Sequence, residues 1–232
     1  MISSKNCYLN NQCWKYLNTD ADCKEADIYC PKLFRVDHLY EEALLSPIQR
    51  RHTPLHIDED GTDLEAFKRL KEIEKNIDKF IEDGKNLYIH SSTCGNGKTE
   101  WSIRLLQAYI GKIWHKSDIR CRALFISVSK YFIALKDSIS TQSDYITHIK
   151  NNILDADLVI FDDLATKVGT TFELENLLSI IDTRINFGKS NIYTSNVTGT
   201  DLKERIGDRL YSRVVHTSEN IEFFGSDKRG MT

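Results

Sequence analysis

One segment of the chain combines glycines, a lysine and a hydroxyl residue at a spacing that suits phosphate chemistry. Residues 86–90 are predicted to form a buried strand, and a helix is predicted to begin after Gly97. The loop between them can point backbone N–H groups at phosphate oxygens, because glycines allow a close approach. Lys98 would reach the β- and γ-phosphates, and the Thr99 hydroxyl would ligate Mg²⁺. The predicted nucleotide contacts are Cys94, Gly95, Asn96, Gly97, Lys98, Thr99 and Glu100.

A second segment, Leu158-Val-Ile-Phe-Asp162-Asp163, reads as an apolar strand that ends in two carboxylates. Asp162 is predicted to hold Mg²⁺ together with Thr99, and Asp163 is predicted to orient an attacking water. The two segments together predict binding of ATP and its hydrolysis to ADP.

The loop departs at one position from the pattern G-x-x-x-x-G-K-[ST], because Ser92 stands where the first glycine is usual. Two alternatives therefore stay open. The loop is a glycine-rich turn that only links strand to helix, or Ser92 weakens nucleotide binding.

The composition is that of a globular protein, with 41% hydrophobic and 28% charged residues. No apolar run approaches the ~20 residues that cross a bilayer. The first residues show no signal-peptide pattern, so we expect a cytoplasmic protein with no membrane association. The formal net charge is −3. There is no overall basic field, so binding to a nucleic acid would have to use a local patch.

Four of the six cysteines fall within the first thirty residues: Cys7, Cys13, Cys23 and Cys30. Such a polar segment builds little core alone, and four thiolates around Zn²⁺ would give it a folding nucleus. The spacing contains no C-x₂-C knuckle, so two alternatives stay open. One is an iron–sulfur cluster, and the other is a set of small buried apolar side chains without metal.

The order of predicted elements indicates an α/β fold in two parts. Residues 1–60 form a Cys-rich domain with a connector, and residues 61–232 form the main domain. An amphipathic helix is predicted from 62 to 81, before the first strand. Beyond the glycine loop, helices are predicted at 100–114, 130–139, 145–154, 172–187 and 201–215, and strands at 122–128, 157–161, 191–194 and 221–224. Five short apolar strands separated by helices predict a parallel sheet covered on both faces. Ligands bind such sheets at the carboxyl ends of the strands.

From Leu87 onward these motifs resemble, in order, those of the AAA+ ATPases. Within them the chain resembles the DnaC/DnaI type of replicative-helicase loader. The residues that carry the resemblance are Ser92–Thr99, Leu158–Leu164, Tyr193–Asn196 and Arg205–Arg213. The glycine loop and acidic strand are shared by many ATPases, whereas R-x-x-D-R-x-x-x-R followed by one last strand is more specific.

The resemblance implies roles for three further residues. Asn196 would act as the polar sensor at the end of a strand beside the acidic one. Arg209 or Arg213 would reach the γ-phosphate of a neighbouring subunit, with Arg213 the better candidate for this finger. The alternative is that neither arginine has a catalytic role and that both form surface salt bridges with Asp201, Glu204 or Asp208.

The resemblance also implies a function and partners. The chain would be a lidless loader, weakly active as an ATPase alone, that places a hexameric replicative helicase on single-stranded DNA of a phage, a mobile element or a bacterium. Residues 1–60 would grip the helicase, and the loader would assemble as a spiral or ring on it. The DNA-binding candidates are Lys130, Tyr131, Phe132, Lys136 and Tyr145, with a core position for Tyr131 and Phe132 as the alternative. A transposition-helper ATPase and a non-hydrolysing helicase adaptor remain the other functions.

Overall fold

The computed structural model describes residues 31–51, 61–116, 118–138 and 143–228. Its helices are α1 (Pro31–Glu42), α2 (Leu64–Lys75), α3 (Ile77–Glu82), α4 (Lys98–Ile113), α5 (Val128–Asp137), α6 (Asp144–Asn152), α7 (Thr171–Asn186) and α8 (Gly199–Tyr211), and a π-helical turn follows at Ser212–His216. No helix in these ranges is long and apolar enough to cross a membrane.

Five parallel strands form one sheet, in the order β2-β3-β4-β1-β5. They are β1 (Asn86–His90), β2 (Ala123–Ser127), β3 (Leu158–Asp162), β4 (Ser190–Ser195) and β5 (Ser218–Glu222). The predicted five-stranded parallel sheet is thereby confirmed. Because β1 lies beside β4, and β4 beside β3, the glycine loop and the acidic residues meet at the carboxyl ends of the strands, which we call the carboxyl edge of the sheet.

The sheet has a hydrophobic core on each face, because successive residues of a strand point to opposite sides. Along β3, Leu158 and Ile160 belong to the core beneath α1 to α4. Val159 and Phe161 belong to the core beneath α5 to α8. Burial on both faces explains why this strand reads as a continuous apolar run.

Helix α1 packs on the same face of the sheet as α4. Its Val36 and Leu39 are buried in the core that contains Trp101 of α4. The Phe125 amide of β2 donates to the Ala43 carbonyl at 2.9 Å. Within the described residues, the segment after residue 31 therefore shares the core of the sheet. The division of the chain at residue 60 stays a prediction, and the four N-terminal cysteines lie outside the described residues.

Two elements differ from the sequence prediction. The helix predicted from 62 to 81 is two helices, because Asn76 adopts a non-helical conformation, in which its side-chain amide donates to the Glu72 carbonyl at 3.1 Å. The last strand lies at 218–222 instead of 221–224. It is an edge strand in which only Ile221 is buried, so its apolar pattern is weak. The buried Phe223 lies after the strand.

Candidate functional site

The glycine loop joins β1 to α4 and is held by its own side chains. The Ser91 hydroxyl accepts a hydrogen bond from the Thr93 amide at 3.0 Å and one from the Asn96 side chain at 2.8 Å. Gly95 has φ 74° and Gly97 has φ 100°. Both values lie in the left-handed region, which glycine adopts without steric cost. The two glycines therefore have a conformational role in this loop.

Lys98 is buried at the start of α4. Its ammonium group donates to the Thr93 carbonyl at 2.7 Å and to the Asn96 side-chain oxygen at 2.8 Å. These bonds place the charge of Lys98 at the loop. At the same place the N-terminus of α4, a 16-residue helix, adds partial positive charge. The combination is an anion-binding arrangement of the kind that receives phosphates.

Ser92, the departure from the usual motif, is exposed, and its backbone has no positive φ. Cys94 and Glu100 are also exposed beside the loop. A serine at position 92 therefore meets neither a packing obstacle nor a backbone restriction. The alternative that Ser92 weakens nucleotide binding stays a prediction.

The Asp162 carboxylate connects the loop to the sheet. Its Oδ1 atom accepts a hydrogen bond from the Thr99 hydroxyl at 2.9 Å and one from the Thr194 hydroxyl at 2.7 Å. Burial, together with the charges of Asp163 and Glu100, raises the pKa of Asp162 to about 6, although these two hydrogen bonds act in the opposite direction. An oxygen-rich group with uncompensated negative charge fits a hard cation such as Mg²⁺.

Asp163 follows in a left-handed backbone conformation, with φ 59°. Non-glycine residues are uncommon there, and such residues concentrate at functional sites. The conformation is fixed by a hydrogen bond from the Asp163 amide to the Thr194 hydroxyl at 2.9 Å. The Asn196 side chain donates to the Asp163 carboxylate at 2.8 Å. The structure therefore brings together Asp163, which is predicted to orient the attacking water, and Asn196, the predicted polar sensor.

Thr194 is a site residue that the sequence analysis did not single out. Its hydroxyl accepts from the Asp163 amide and donates to the Asp162 carboxylate, so it bridges the two acidic residues. The available signal was a hydroxyl side chain in the buried strand β4, two residues before Asn196. Its function became visible only once β3 and β4 were known to be neighbours.

The predicted arginine fingers lie on a less regular helix than expected. Gly207, with φ 79° and ψ 158°, breaks α8, and Arg213 lies in the π-helical turn. Arg209 and Arg213 are exposed. Arg213 forms an ion pair with Asp182 of α7, so the predicted surface partners Asp201, Glu204 and Asp208 are wrong for this residue.

The predicted DNA-binding residues lie on α5 and α6, and they fall into a buried group and a more accessible group. Tyr131 and Phe132 are each 2% exposed and belong to the core, so a stacking role for them is wrong. The Tyr131 hydroxyl donates to the Asn176 side chain at 2.6 Å. The Lys130 ammonium lies 4.8 Å from the centre of the Tyr145 ring. Lys136 pairs with Glu173 at 3.2 Å. Only the lysines and Tyr145 keep the predicted role.

One group of metal-ligating side chains converges within the described residues: Glu42, Cys121 and His148. The His148 Nε2 atom lies 2.8 Å from the Glu42 carbonyl oxygen, and the Cys121 thiol lies 3.4 Å from the same oxygen. Burial raises the pKa of Cys121 to about 12, which keeps it a thiol. None of these three residues is among the predicted zinc ligands, so the group is not evidence for the predicted zinc.

The fold is similar to those of solved structures of replication proteins. The DnaC helicase loader superposes with a TM-score of 0.59 at 22% identity, covering 73% of this chain and 93% of that one. DnaI superposes with a TM-score of 0.59 at 20% identity, covering 82% of this chain and all of that one. This chain therefore shares the fold of these two proteins.

The same fold extends to a replication initiator. DnaA bound to AMPPCP and single-stranded DNA gives a TM-score of 0.55 at 21% identity, with 75% of this chain covering 51% of that one. The sequence matches no protein-family model and no curated protein. At these identities the structural similarity establishes the fold, and the chemistry has to be argued from the residues of this chain.

Proposed function

We propose that this AAA+ chain is an ATP-dependent loader that places a hexameric replicative helicase on single-stranded DNA. The observation that carries the proposal is the continuous hydrogen-bonded set Thr99, Asp162, Thr194, Asp163 and Asn196 at the carboxyl edge of the sheet. This set supports the proposal because Asp162, the proposed cation ligand, and Asp163, the proposed water-orienting group, lie beside the loop that we propose binds phosphates. ATP hydrolysis needs these parts together.

Each residue has a separate task in the proposed reaction. The amides of the glycine loop and the Lys98 ammonium bind the β- and γ-phosphates. Thr99 and Asp162 are the residues that would hold Mg²⁺, which supplies neutralisation of the phosphate charge when bound. Asp163 accepts a hydrogen bond from the attacking water and orients it in line with the γ-phosphate. Asn196 donates to that carboxylate and so holds it in position.

The proposed partners follow from the similarity and from the exposed residues. The solved relatives include a helicase loader and an initiator bound to single-stranded DNA. Lys130 and Lys136 of α5 and Tyr145 of α6 are the residues that we propose for the DNA contact. Arg209 and Arg213 are exposed and can therefore reach a second subunit in a spiral or ring. An arginine that binds the γ-phosphate of a neighbouring subunit would have to give up its contacts within its own chain.

Residues 1–60 are proposed to dock onto the helicase. Four thiolates, from Cys7, Cys13, Cys23 and Cys30, would hold one structural Zn²⁺, since they leave no open position for chemistry. Metal analysis of the purified chain tests this directly. One zinc per chain supports it, iron points to a cluster, and a folded chain without metal contradicts both.

The loader function predicts ATP turnover and helicase binding in the same chain. ATP turnover is measured with and without single-stranded DNA, and co-purification identifies whether a replicative helicase binds. Lys98→Ala should abolish nucleotide binding because it removes the charge that the phosphates meet. Helicase binding without turnover, unchanged in Lys98→Ala, would instead indicate an adaptor. A transposase as the retained partner would indicate a transposition helper.

Asp163→Ala tests the catalytic assignment. Nucleotide binding should persist because Asp162 and Lys98 remain, whereas the hydrolysis rate should fall on the order of 10²–10³-fold. Asp83→Ala is the matched control, since Asp83 lies near the opposite end of β1 in an exposed pair with Lys85. Normal turnover in Asp163→Ala would show that another group orients the water.

A further inference from the structure

The segment that follows β5, residues 223–228, returns to the phosphate-binding loop, and we call it the tail segment. Its first residue, Phe223, is 1% exposed and stacks on Phe67 of α2 with a ring separation of 5.6 Å. The Phe223 amide donates to the carbonyl of His90, the last residue of β1, at 2.8 Å. The tail segment therefore begins at the strand end from which the loop departs.

A buried aspartate anchors the next two residues. Asp63 is 1% exposed, and its two carboxylate oxygens accept hydrogen bonds from the Phe224 amide at 2.7 Å and the Gly225 amide at 3.1 Å. Asp63 directly precedes α2, yet its side chain makes no capping bond to that helix. Hydrogen bonds to a charged acceptor are the stronger kind, so this anchor determines where the tail segment runs.

The end of the tail segment lies against the phosphate-binding loop. The Lys228 amide donates to the Gly95 carbonyl at 2.9 Å. A Cβ atom placed on Gly95 would lie 1.8 Å from the Asp227 carboxylate oxygen, so the carboxylate occupies the space beside this glycine. The Lys228 ammonium lies 5.1 Å from the centre of the Phe67 ring. The two contacts of Lys228 therefore hold the neighbouring Asp227 carboxylate beside Gly95.

A carboxylate at this position has a consequence for nucleotide binding. The loop, the start of α4 and Lys98 form an anion-binding arrangement, and Asp227 is an anion placed beside it. The triphosphate of a nucleotide carries charge of the same sign. Like charges a few ångströms apart repel each other, and because Asp227 is exposed, this repulsion is weakened by water and salt. Binding of the phosphates at the loop is therefore less favourable while the Asp227 carboxylate lies beside Gly95.

We propose that the tail segment is an acidic strap, in which Asp227 competes with the phosphates of a nucleoside triphosphate for the loop at Gly95. This inference rests on the proposed nucleotide binding. Binding of the triphosphate displaces Asp227 and breaks the hydrogen bond from Lys228 to Gly95. The position of the tail segment then reports whether the loop holds a nucleotide, and Asp63 acts as the fixed point about which the strap moves.

The first experiment measures the affinity of the full chain for a fluorescent ATP analogue. Asp227→Asn keeps the shape of the side chain and removes its charge, so the affinity should rise by about tenfold. The gain should shrink as salt concentration rises, because Asp227 is exposed and its charge is screened. Asp83→Asn, the same change near the opposite end of β1, should leave the affinity as it is.

The second experiment measures amide hydrogen exchange of Lys228 with and without the non-hydrolysable nucleotide AMPPCP. Exchange of this amide should become faster when nucleotide binds, whereas exchange of the anchored Phe224 amide should change less. Nucleotide binding with unchanged affinity in Asp227→Asn would overturn the strap. An equally protected Lys228 amide at saturating nucleotide would overturn it as well. Failure of both chains to bind nucleotide would overturn the proposed function, and the strap with it.

Discussion

The two ends of strand β3 carry aspartates in opposite electrostatic situations. Asp157, just before the strand, accepts hydrogen bonds from the Tyr109 hydroxyl at 2.7 Å and from Arg122 at 2.6 Å, and Lys189 lies 3.2 Å away. Burial alone would raise the pKa of Asp157, but these partners hold it below its usual value. Asp162, at the other end, is held only by neutral hydroxyls, and its pKa is raised to about 6.

The same difference separates the carboxyl edge of the sheet from the amino ends of the strands, which we call the amino edge. At the amino edge the buried Arg184 donates to the Asn191 side chain at 2.6 Å and to the carbonyls of Ala156 and Ser190 at 2.8 and 2.7 Å. It also donates to the carbonyl of Ile153. At the carboxyl edge, Asp162 and Asp163 lie close together without an intramolecular cation partner within the described residues. The amino edge is built for stability, whereas the carboxyl edge keeps charge that a ligand can compensate.

The largest effect is expected from Arg184→Met at the amino edge. The change leaves several buried acceptors without a donor, and the free energy of unfolding should fall by about 3–5 kcal/mol. Denaturant titration measures this, and Arg120→Met is the control because that arginine is exposed in a pair with Asp118. A loss below about 1 kcal/mol, the range of a surface substitution, would remove the distinction between the two edges.

A smaller effect of opposite sign is expected from Asp162→Asn, measured without metal or nucleotide. The pKa of Asp162 is about 6 in the folded chain against an ordinary 3.8, so ionisation costs stability. The cost is absent below pH 3.8, grows up to pH 6 and is complete above it. Removing the charge should stabilise the fold at pH 7.5 by up to about 3 kcal/mol, and by about half as much at pH 5.

The matched substitution for that experiment is Asp157→Asn at the other end of β3. It removes a charge that Arg122 and Lys189 compensate, so it should lower the free energy of unfolding under the same conditions. Changes of the same sign in the two variants would contradict the comparison between the strand ends.

The smallest effect concerns the two described cysteines, which lie at opposite edges. Cys94 in the glycine loop is exposed, whereas Cys121 before β2 is buried and its pKa is raised to about 12 by that burial. Iodoacetamide should therefore modify Cys94 and leave Cys121 intact in the native chain. ATP at ten times its dissociation constant should slow the modification of Cys94 by about tenfold. Peptide mass spectrometry resolves both sites, and equal rates with and without ATP would place the nucleotide elsewhere.

The sequence by itself determined the parts of the site that are contiguous in the chain. The geometry of the glycine loop depends on residues that are neighbours in the chain, namely Gly95, Gly97, Lys98 and Thr99. Asp162 ends a continuous run of apolar residues, and such a run is typical of a strand that is buried on both faces of a sheet. The same local periodicities predicted the parallel sheet. The start of the edge strand β5 was placed three residues too late, because only Ile221 of this strand is buried and its apolar pattern is therefore weak.

Only the tertiary structure decided which distant groups share a site. Thr194 and Asn196 reach Asp162 and Asp163 because β3 and β4 are neighbours. Burial in the core removed Tyr131 and Phe132 from the predicted DNA surface. The anchor between Asp63 and the tail segment joins residues more than 160 positions apart, and no local pattern encodes such a contact. Periodicity and motif spacing describe what a residue's neighbours in the chain allow, whereas charge compensation depends on neighbours that only folding brings together.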